Sequence, residues 1–346
     1  SMDRSENPGS PSMAARQLSD LINGFWAAQV ANVAALLEIP DRLAQRSQTA
    51  AEVASAAGAH APSVHRLLRA MQTLGLCTAA ADGTFTLTEA GHLLRADVPG
   101  SMRGRALFTG DMLWKQFGDL EYVVRTGERT RAVVSGPEGF ASLAADPPRL
   151  DAFQNAMAEG SVRVAHHALQ VYDFSRFGKV LDLGGGYGGV LAVLLGKFPA
   201  MSGAICDLSY LEEGAKRYLA RAGVEARASF IGGDFFESVP AGYDAYVMKF
   251  IVHDWDDAHA LRILTNCRTA AAPSSRVILL EQVVPDQLGQ NPADRAVIRA
   301  DLTMMSVGGK ERTAEEYRAL FKQTGWRLSG ITAAAEGFSV IEAVPA

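Results

Sequence analysis

The chain has 346 residues, 48% of them hydrophobic and 21% charged, with a formal net charge of −5. That length buries a substantial core and divides more naturally into two domains than one. The charge balance carries no general attraction to nucleic acid or to an anionic membrane. Cys77, Cys206 and Cys267 lie far apart in apolar contexts and form neither a CxxC unit nor a disulfide framework. Buried thiols in a reducing compartment are expected. No apolar run reaches ~18 residues and the N-terminal stretch has no basic-then-apolar signal, so a cytoplasmic protein without a membrane partner is expected.

Residues 1–15 are polar and turn-rich and are expected to be disordered. From Arg16 to Arg105 the pattern is helical and rich in Ala and Leu. LINGFWAAQVANVAALLEIP reads as one apolar helix stopped by Pro40. In TAAEVASAAG, Thr49 stands three residues ahead of Glu52 in capping-box spacing, and Gly58 ends the helix. APSVHRLLRAMQTLGL is the next helix, and a D-G turn then separates two short strands, Leu76 to Ala79 and Thr84 to Leu87. Helix, turn, helix and hairpin is the order of a winged helix over residues 16–105. Such modules often bind DNA, yet residues 1–105 hold nine Arg, no Lys and nine acids, a net of zero. The second helix of the pair offers only His65, Arg66 and Arg69. Phosphate neutralisation dominates DNA affinity, so packing or dimerisation fits this region better, and a DNA-binding regulator is the non-enzyme alternative.

Residues 106–170 are expected to be helices around loops: GDMLWKQFGDLEYVVRTG, then GPEGFASLAADPPRLDAFQNAMAEG with a helix start at Pro147 and Pro148, then SVRVAHHALQVYDF. From Lys179 short β-rich runs alternate with helical stretches. KVLDLGG, SGAICDL, ASFIGGD, YDAYVMKF and RVILLEQVV are strand candidates, and WRLSGITAAA and FSVIEAVPA supply two last strands. This is the pattern of a mostly parallel sheet covered on both faces, an α/β domain over residues 171–346.

LDLGGGYGG, Leu181 to Gly189, follows a strand and opens the apolar helix VLAVLLGKF. Its glycines permit a sharp turn and close backbone approach to a ligand; a tight turn that binds nothing is the bland alternative. The spacing lacks G-K-[ST], which excludes a phosphate-cradling P-loop. Asp182 in the turn suits an ammonium or sulfonium cation better than a pyrophosphate. Asp207, about 20 residues on, is placed to grip a ribose diol. Asp234 supplies a carboxylate for an adenine amine and Phe235 a ring for its face. Leu208 and Gly233, adjoining these strand ends, are cofactor candidates with them. Three acids at successive strand ends argue for a cationic adenosyl ligand; three helix N-caps are the alternative. YDAYVMKF brings Lys249 and His253 to the same sheet edge. A His there can act as a general base, with Glu281 or Glu311 to orient it, or can be an ordinary loop residue while Asp256 or Asp257 caps the next helix. The seven His residues form no HExxH or similar cluster, so no metal is expected. His166, beside His167 in a helical stretch, is a candidate to face a substrate cavity.

Taken in order, DLGGGYG, the Asp207 strand end, GGDFFE, MKFIVHDWDD, EQVVPD and GGKERTAEEYRALFKQTGW resemble the S-adenosylmethionine-dependent small-molecule O-methyltransferases. That family includes plant caffeic acid and flavonoid enzymes, and the closer similarity is to bacterial members acting on antibiotics, phenazines and carotenoids. The resemblance covers residues 16–346. It implies a Rossmann-like class I methyltransferase domain with a mostly parallel seven-stranded sheet, preceded by a winged-helix-like domain that intertwines two subunits. It implies that Gly184, Gly186, Asp207, Asp234, Phe235 and Lys249 line the cofactor site. His253 would deprotonate the acceptor hydroxyl while Glu281 and Glu311 orient its ring, with no metal. The segment LTMMSV between Asp301 and Gly308 is short and lacks the plant enzymes' Asn before the double glycine, so the plant phenolic pocket does not carry over. Trp114, Phe153, Met157, Met304 and Met305 instead suggest a wide apolar pocket for an aromatic or polyketide-like acceptor, with Asp254 and His166 as polar lining. A C- or N-methyltransferase, or another S-adenosylmethionine-binding tailoring enzyme of the same family, is the enzyme alternative.

Overall fold

The computed structural model describes residues 9–132 and 143–346. They belong to two compact units, one ending at Gly118 and one running from Asp119 to Ala346. The start of the N-terminal tail, residues 1–8, and residues 133–142, which hold the GPEGFAS part of the segment read from Gly136, lie outside the described residues.

In the first unit, helix α1 (Met13–Ile22) begins inside the stretch expected to be disordered, because the Ser12 side chain accepts from Ala15 N and caps it. The apolar run expected as one helix is two. Helix α1 ends at Asn23–Gly24, both poor helix formers, and α2 spans Phe25–Leu36. Pro40 stops neither: it lies in the first turn of α3 (Ile39–Gln45), where its missing N–H costs nothing. Strand β1 (Gln48–Thr49) leads into α4 (Ala50–Ala57), which carries the Thr49–Glu52 capping box and ends at a left-handed Gly58. After α5 (Ala61–Thr73), strands β2 (Cys77–Ala79) and β3 (Thr84–Leu87) pair antiparallel, with β1 on the other side of β3. Ile39, Leu43, Val53, Leu68, Met71 and Phe85 fill the core between helices and wing. Helix α1 buries none of its residues, and Leu18, Leu21, Ile22 and Phe25 are exposed. After α6 (Glu89–His92), α7 (Arg103–Phe108) continues through a π-helical turn into α8 (Trp114–Gly118).

The second unit opens with α9 (Leu120–Thr126) and α10 (Pro147–Leu169). Helix α10 begins at the Pro pair, with Asp146 accepting from Arg149 N, and runs through Gly160, joining two segments expected to be separate. Strand β4 (Lys179–Leu183), α11 (Gly189–Lys197), β5 (Ser202–Asp207), α12 (Glu212–Arg221) and β6 (Ala228–Gly232) follow. Strand β7 (Ala245–Lys249), α13 (Asp257–Ala270) and β8 (Arg276–Glu281) complete the parallel part. The short β9 (Val283–Val284), α14 (Pro292–Ser306), β10 (Arg312–Thr313) and α15 (Ala314–Gln323) precede β11 (Trp326–Ala333) and β12 (Ser339–Pro345).

The sheet has seven strands in the order β11-β12-β8-β7-β4-β5-β6, and only β12 runs against its neighbours. Alternation along each central strand feeds two cores. Val180, Val247 and Ile278 pack on one face with Leu191 and Leu195 of α11. Leu181, Met248 and Leu279 pack on the other with Ile263 and Leu264 of α13 and Phe321 of α15. Burial on both faces is why these strands read as continuous apolar runs.

One buried cation fastens the segment after β7. Arg312 is fully buried. Its guanidinium donates to Val252 O at 3.1 Å, Trp255 O at 2.9 Å and Asp257 Oδ1 at 2.9 Å, bracketing His253. Strand β10 presents it there by pairing parallel with β9, Arg312 opposite Val283. Arg312→Met keeps most of the volume but leaves two carbonyls without a donor. It is expected to cost about 2–4 kcal/mol in urea unfolding, against a smaller loss for Asp257→Asn, whose carboxylate is largely exposed.

Candidate active site

The five parallel strands deliver their C-terminal ends to one edge, and the chain reverses its direction of sheet-building between β4 and β7. Ligands of open α/β sheets bind at such a switch point. Here the glycine loop after β4 meets the His253 segment after β7.

Gly184 and Gly186 have φ of +73° and +57°, values that residues with a Cβ rarely adopt. A Cβ on Gly184 would stand 2.7 Å from Ile251 Cδ1 and 3.4 Å from the Phe235 ring, and one on Gly186 2.7 Å from Gln154 Oε1. The bare backbone therefore lines a cradle that side chains would fill. Asp182 does not face it. It is 2% exposed, and its Oδ2 accepts from Leu191 N at 3.3 Å, capping α11 from beneath the loop. Burial pushes its carboxyl up to about 7, the Leu191 amide opposing. Strand alternation explains the difference: Asp182 points to the sheet face that α11 covers, not over the edge.

Asp207 does reach the edge. Its carboxylate accepts from Gly186 N at 2.8 Å and from Leu208 N at 2.7 Å. Burial raises its pKa while those amides hold it back. Leu208 is 43% exposed beside it, and Gly233 N donates to Asp207 O at 3.0 Å. Asp234 is exposed and spends Oδ1 on Phe236 N at 2.9 Å. The Phe235 ring stands edge-on to Phe236 and Trp255, with centroids at 4.9 and 6.4 Å. Burial pushes the Lys249 ammonium down, while Asp182, Asp254 and Glu281 pull it back.

Phe250, with φ of +51°, turns the chain out of β7 and into the single turn that carries His253. The imidazole is 15% exposed; its Nδ1 lies 2.7 Å from Glu311 Oε1 and 3.7 Å from Glu281 Oε2. Glu281 Oε1 also accepts from His253 N at 3.3 Å. The Phe250 ring stacks on the imidazole, centroids 5.6 Å apart at 28°. The ring is thus held by its edge and its face, and Nε2 is turned toward Asp254 Oδ1 at 3.3 Å. Burial opposes a charge on the ring, but Glu281, the Glu311 hydrogen bond and Asp254 outweigh it and lift His253 to about 9. Burial pushes Glu281 up to about 7. His253, Glu281 and Glu311 present possible metal-ligand atoms within 4.8 Å of one another. An ion among them would have to replace the Glu311–imidazole hydrogen bond that fixes the ring.

Asp254 stands at this site, half-exposed. Met304 and Met305 end α14, and the turn after them is tied to the site through Lys310 N donating to His253 O at 2.9 Å. Phe153 and Met157 lie one helical turn apart on α10, 37% and 48% exposed. His166 is exposed and half a turn around that helix from Met157, so the structure does not bring it to the same face. Trp114 belongs to the first unit, with its ring 6.3 Å from Phe25. Asp256, not Asp257, caps α13. Sequence reasoning missed Phe250, Arg312 and Gln154. Arg312 adjoins Glu311 in GGKERT, but no local signal marks a buried Arg or a stacking Phe.

Among protein families, residues 117–327 match the O-methyltransferase domain and residues 19–97 the O-methyltransferase dimerisation domain. Phenazine O-methyltransferase PhzM of Lysobacter antibioticus is 36% identical over 95% of both chains. The 8-amino-8-demethylriboflavin N,N-dimethyltransferase of Streptomyces davaonensis is 32% identical over 95% of both. Among solved structures, the O-methyltransferase NcsB1 from neocarzinostatin biosynthesis, in complex with S-adenosylmethionine and 2-hydroxy-5-methyl naphthoic acid, superposes with a TM-score of 0.80. It is 32% identical, covering 94% of this chain and 98% of that one. A domain model spanning more than half of the chain, and relatives aligned over nearly their whole length, establish that the chain belongs to the O-methyltransferase family.

Proposed function

We propose that the chain transfers a methyl group from S-adenosylmethionine to a hydroxyl of an aromatic or polyketide-like small molecule of secondary metabolism, with His253 as general base. The observation that carries the reading is the held imidazole: Nδ1 against Glu311 at 2.7 Å, Nε2 turned away from that anchor. With Nδ1–H donating to Glu311, the Nε2 lone pair, on the side of Asp254, is the base, and the buried carboxylates stabilise the imidazolium once the acceptor proton arrives.

The residues at the sheet edge fit the cofactor. Gly184 and Gly186 leave backbone where a Cβ would block it, Asp207 offers a carboxylate fixed by two amides, and Leu208, Asp234 and Phe235 follow the ends of β5 and β6 beside it. Bound there, S-adenosylmethionine supplies a sulfonium-activated methyl group. The chain's own task is to hold the acceptor oxygen in line and give it oxyanion character. Asp254, Met304, Met305, Phe153 and Met157 are the acceptor contacts of this reading. Residues 16–105 act in dimerisation, 106–170 as the connecting and acceptor-pocket region, and 171–346 in cofactor binding. The exposed apolar side of α1 and α2 supports a homodimer. Three free, buried cysteines suit a cytoplasmic enzyme.

An amine acceptor is the second reading, favoured by the N,N-dimethyltransferase among the relatives. Product mass with a labelled methyl separates the two. His253→Ala is expected to lower kcat about 10²–10⁴-fold with a hydroxyl acceptor while leaving cofactor affinity unchanged; near-normal turnover would end the general-base role. Because His253 must be neutral to act and its pKa is raised to about 9, kcat/KM should climb with pH and level off near that value. Glu311→Gln removes a negative charge from the ring, so the His pKa falls and the rising limb moves to lower pH. A pH–rate profile of Glu311→Gln with an unmoved limb would place the titration elsewhere.

A further inference from the structure

Helix α10 lays one stripe of residues, Asp151, Gln154 and Ala158, along the glycine loop. Gln154 Oε1 stands 2.7 Å from where a Cβ on Gly186 would be, and Ala158 O 2.5 Å from a Cβ on Gly189. Between those two points the loop contributes one large side chain. Tyr187 is 3% exposed, and its hydroxyl donates to Asp151 Oδ1 at 2.8 Å. Burial, and then the Asp151 bond, pushes the phenol up to about 12, so it stays a donor at neutral pH. Gly214 of α12 makes room for it, since a Cβ there would run into the hydroxyl oxygen. Asp151 is held from its other side as well. Asn155 Nδ2 donates to its Oδ2 at 3.2 Å, Arg221 donates to Asn155 Oδ1 at 3.0 Å, and Arg217 stands 3.6 Å from Asp151 Oδ1. Packing alone asks only for an aromatic ring here, which a Phe would supply. The hydroxyl adds direction. Tyr187 lies between two left-handed glycines, Gly186 and Gly188, so where its ring points depends on the conformation of the loop. Gly186 N meanwhile donates to Asp207 Oδ2 at 2.8 Å. One turn thus borders the proposed cofactor site on one side and grips α10 on the other.

We propose that Tyr187 is a positioning residue for methyl transfer: its hydroxyl bond to Asp151 transmits occupancy of the cofactor site to α10, the helix that carries Phe153 and Met157. The inference rests on the cofactor and acceptor reading above. A ligand that narrows the loop to one conformation thereby favours one placement of α10. By reciprocity, an acceptor held against α10 tightens cofactor binding.

The test is hydrogen exchange of the full chain with and without S-adenosylhomocysteine, whose binding is followed in parallel by calorimetry. In the wild type the ligand should slow exchange of α10 and α11 amides by about fivefold or more, the lower end of couplings between sites. In Tyr187→Phe, which keeps the ring, the slowing should persist in α11 and fall below about twofold in α10. Exchange of ligand-free α10 in that variant should stay within about twofold of wild type. Asp151→Asn, which keeps an acceptor oxygen for the hydroxyl, should retain the α10 response, and Asp151→Ala should lose it. An α10 response that survives in Tyr187→Phe, or is absent from the wild type, overturns the proposal. So does faster exchange of α10 by the same factor with and without ligand, which marks Tyr187 as a packing residue alone. Failure of the wild-type chain to bind S-adenosylhomocysteine would instead overturn the cofactor assignment, and this inference with it.

Discussion

The structure is organised around a cost: two carboxylates buried beneath one imidazole. Glu281 and Glu311 are 0% and 3% exposed, and each buried ion forfeits several kcal/mol of hydration before any partner is counted. Their attraction to His253 offsets that cost only if the ring cannot drift. Every neighbouring feature limits drift. Arg312 grips carbonyls on both sides of the His253 turn, the β9–β10 pair sets Glu311 beside the strand that ends in Glu281, and the Phe250 ring closes the open face. Gly309 belongs to the same scheme, since a Cβ there would run into the His253 carbonyl. Phe250 accepts a positive φ to reach its place, a strain of about 1–3 kcal/mol that packing must cover.

Topology does the rest. Because β4 and β7 are neighbours, a loop after residue 183 and a turn after residue 249 come together without any contact local in sequence. Ile251, two residues before His253, occupies the space a Cβ on Gly184 would need. The glycine loop and the His253 segment are thus parts of one packed edge. Displacing the His253 segment would disturb the glycine loop as well.

What was legible in the sequence was what short-range chemistry decides. The Thr49–Glu52 capping box and the left-handed Gly58 are local, and both are present. The strand-end acids were also legible, since a parallel sheet brings all its C-terminal ends to one side. Pro40 misled because proline ends a helix and begins one equally well, and its neighbours do not distinguish the two. Asp182 misled for another reason: its position was right, but its direction depends on strand phase and on where α11 docks. Gln154, Phe250 and Arg312 were invisible because their partners are 32, 3 and 57–60 residues away through folds of the chain, or lie in a turn whose geometry no motif encodes.

The electrostatics of the edge suit the proposed reaction in one further respect. Asp254, Glu281 and Glu311 face the His253 imidazole, Asp254 and Glu281 also act on Lys249, and burial pushes that ammonium's pKa down. Such an edge favours a bound positive charge. During methyl transfer the sulfonium charge disappears, which would leave the carboxylates under-compensated. Proton capture by His253 Nε2 restores one positive charge within the same cluster, hydrogen-bonded through Nδ1 to Glu311. The carboxylates thus meet a similar total charge before and after transfer, so little of their environment has to reorganise. A preorganised field of this kind stabilises the charge as it forms, which is what a base buried with two acids can supply and an exposed one cannot.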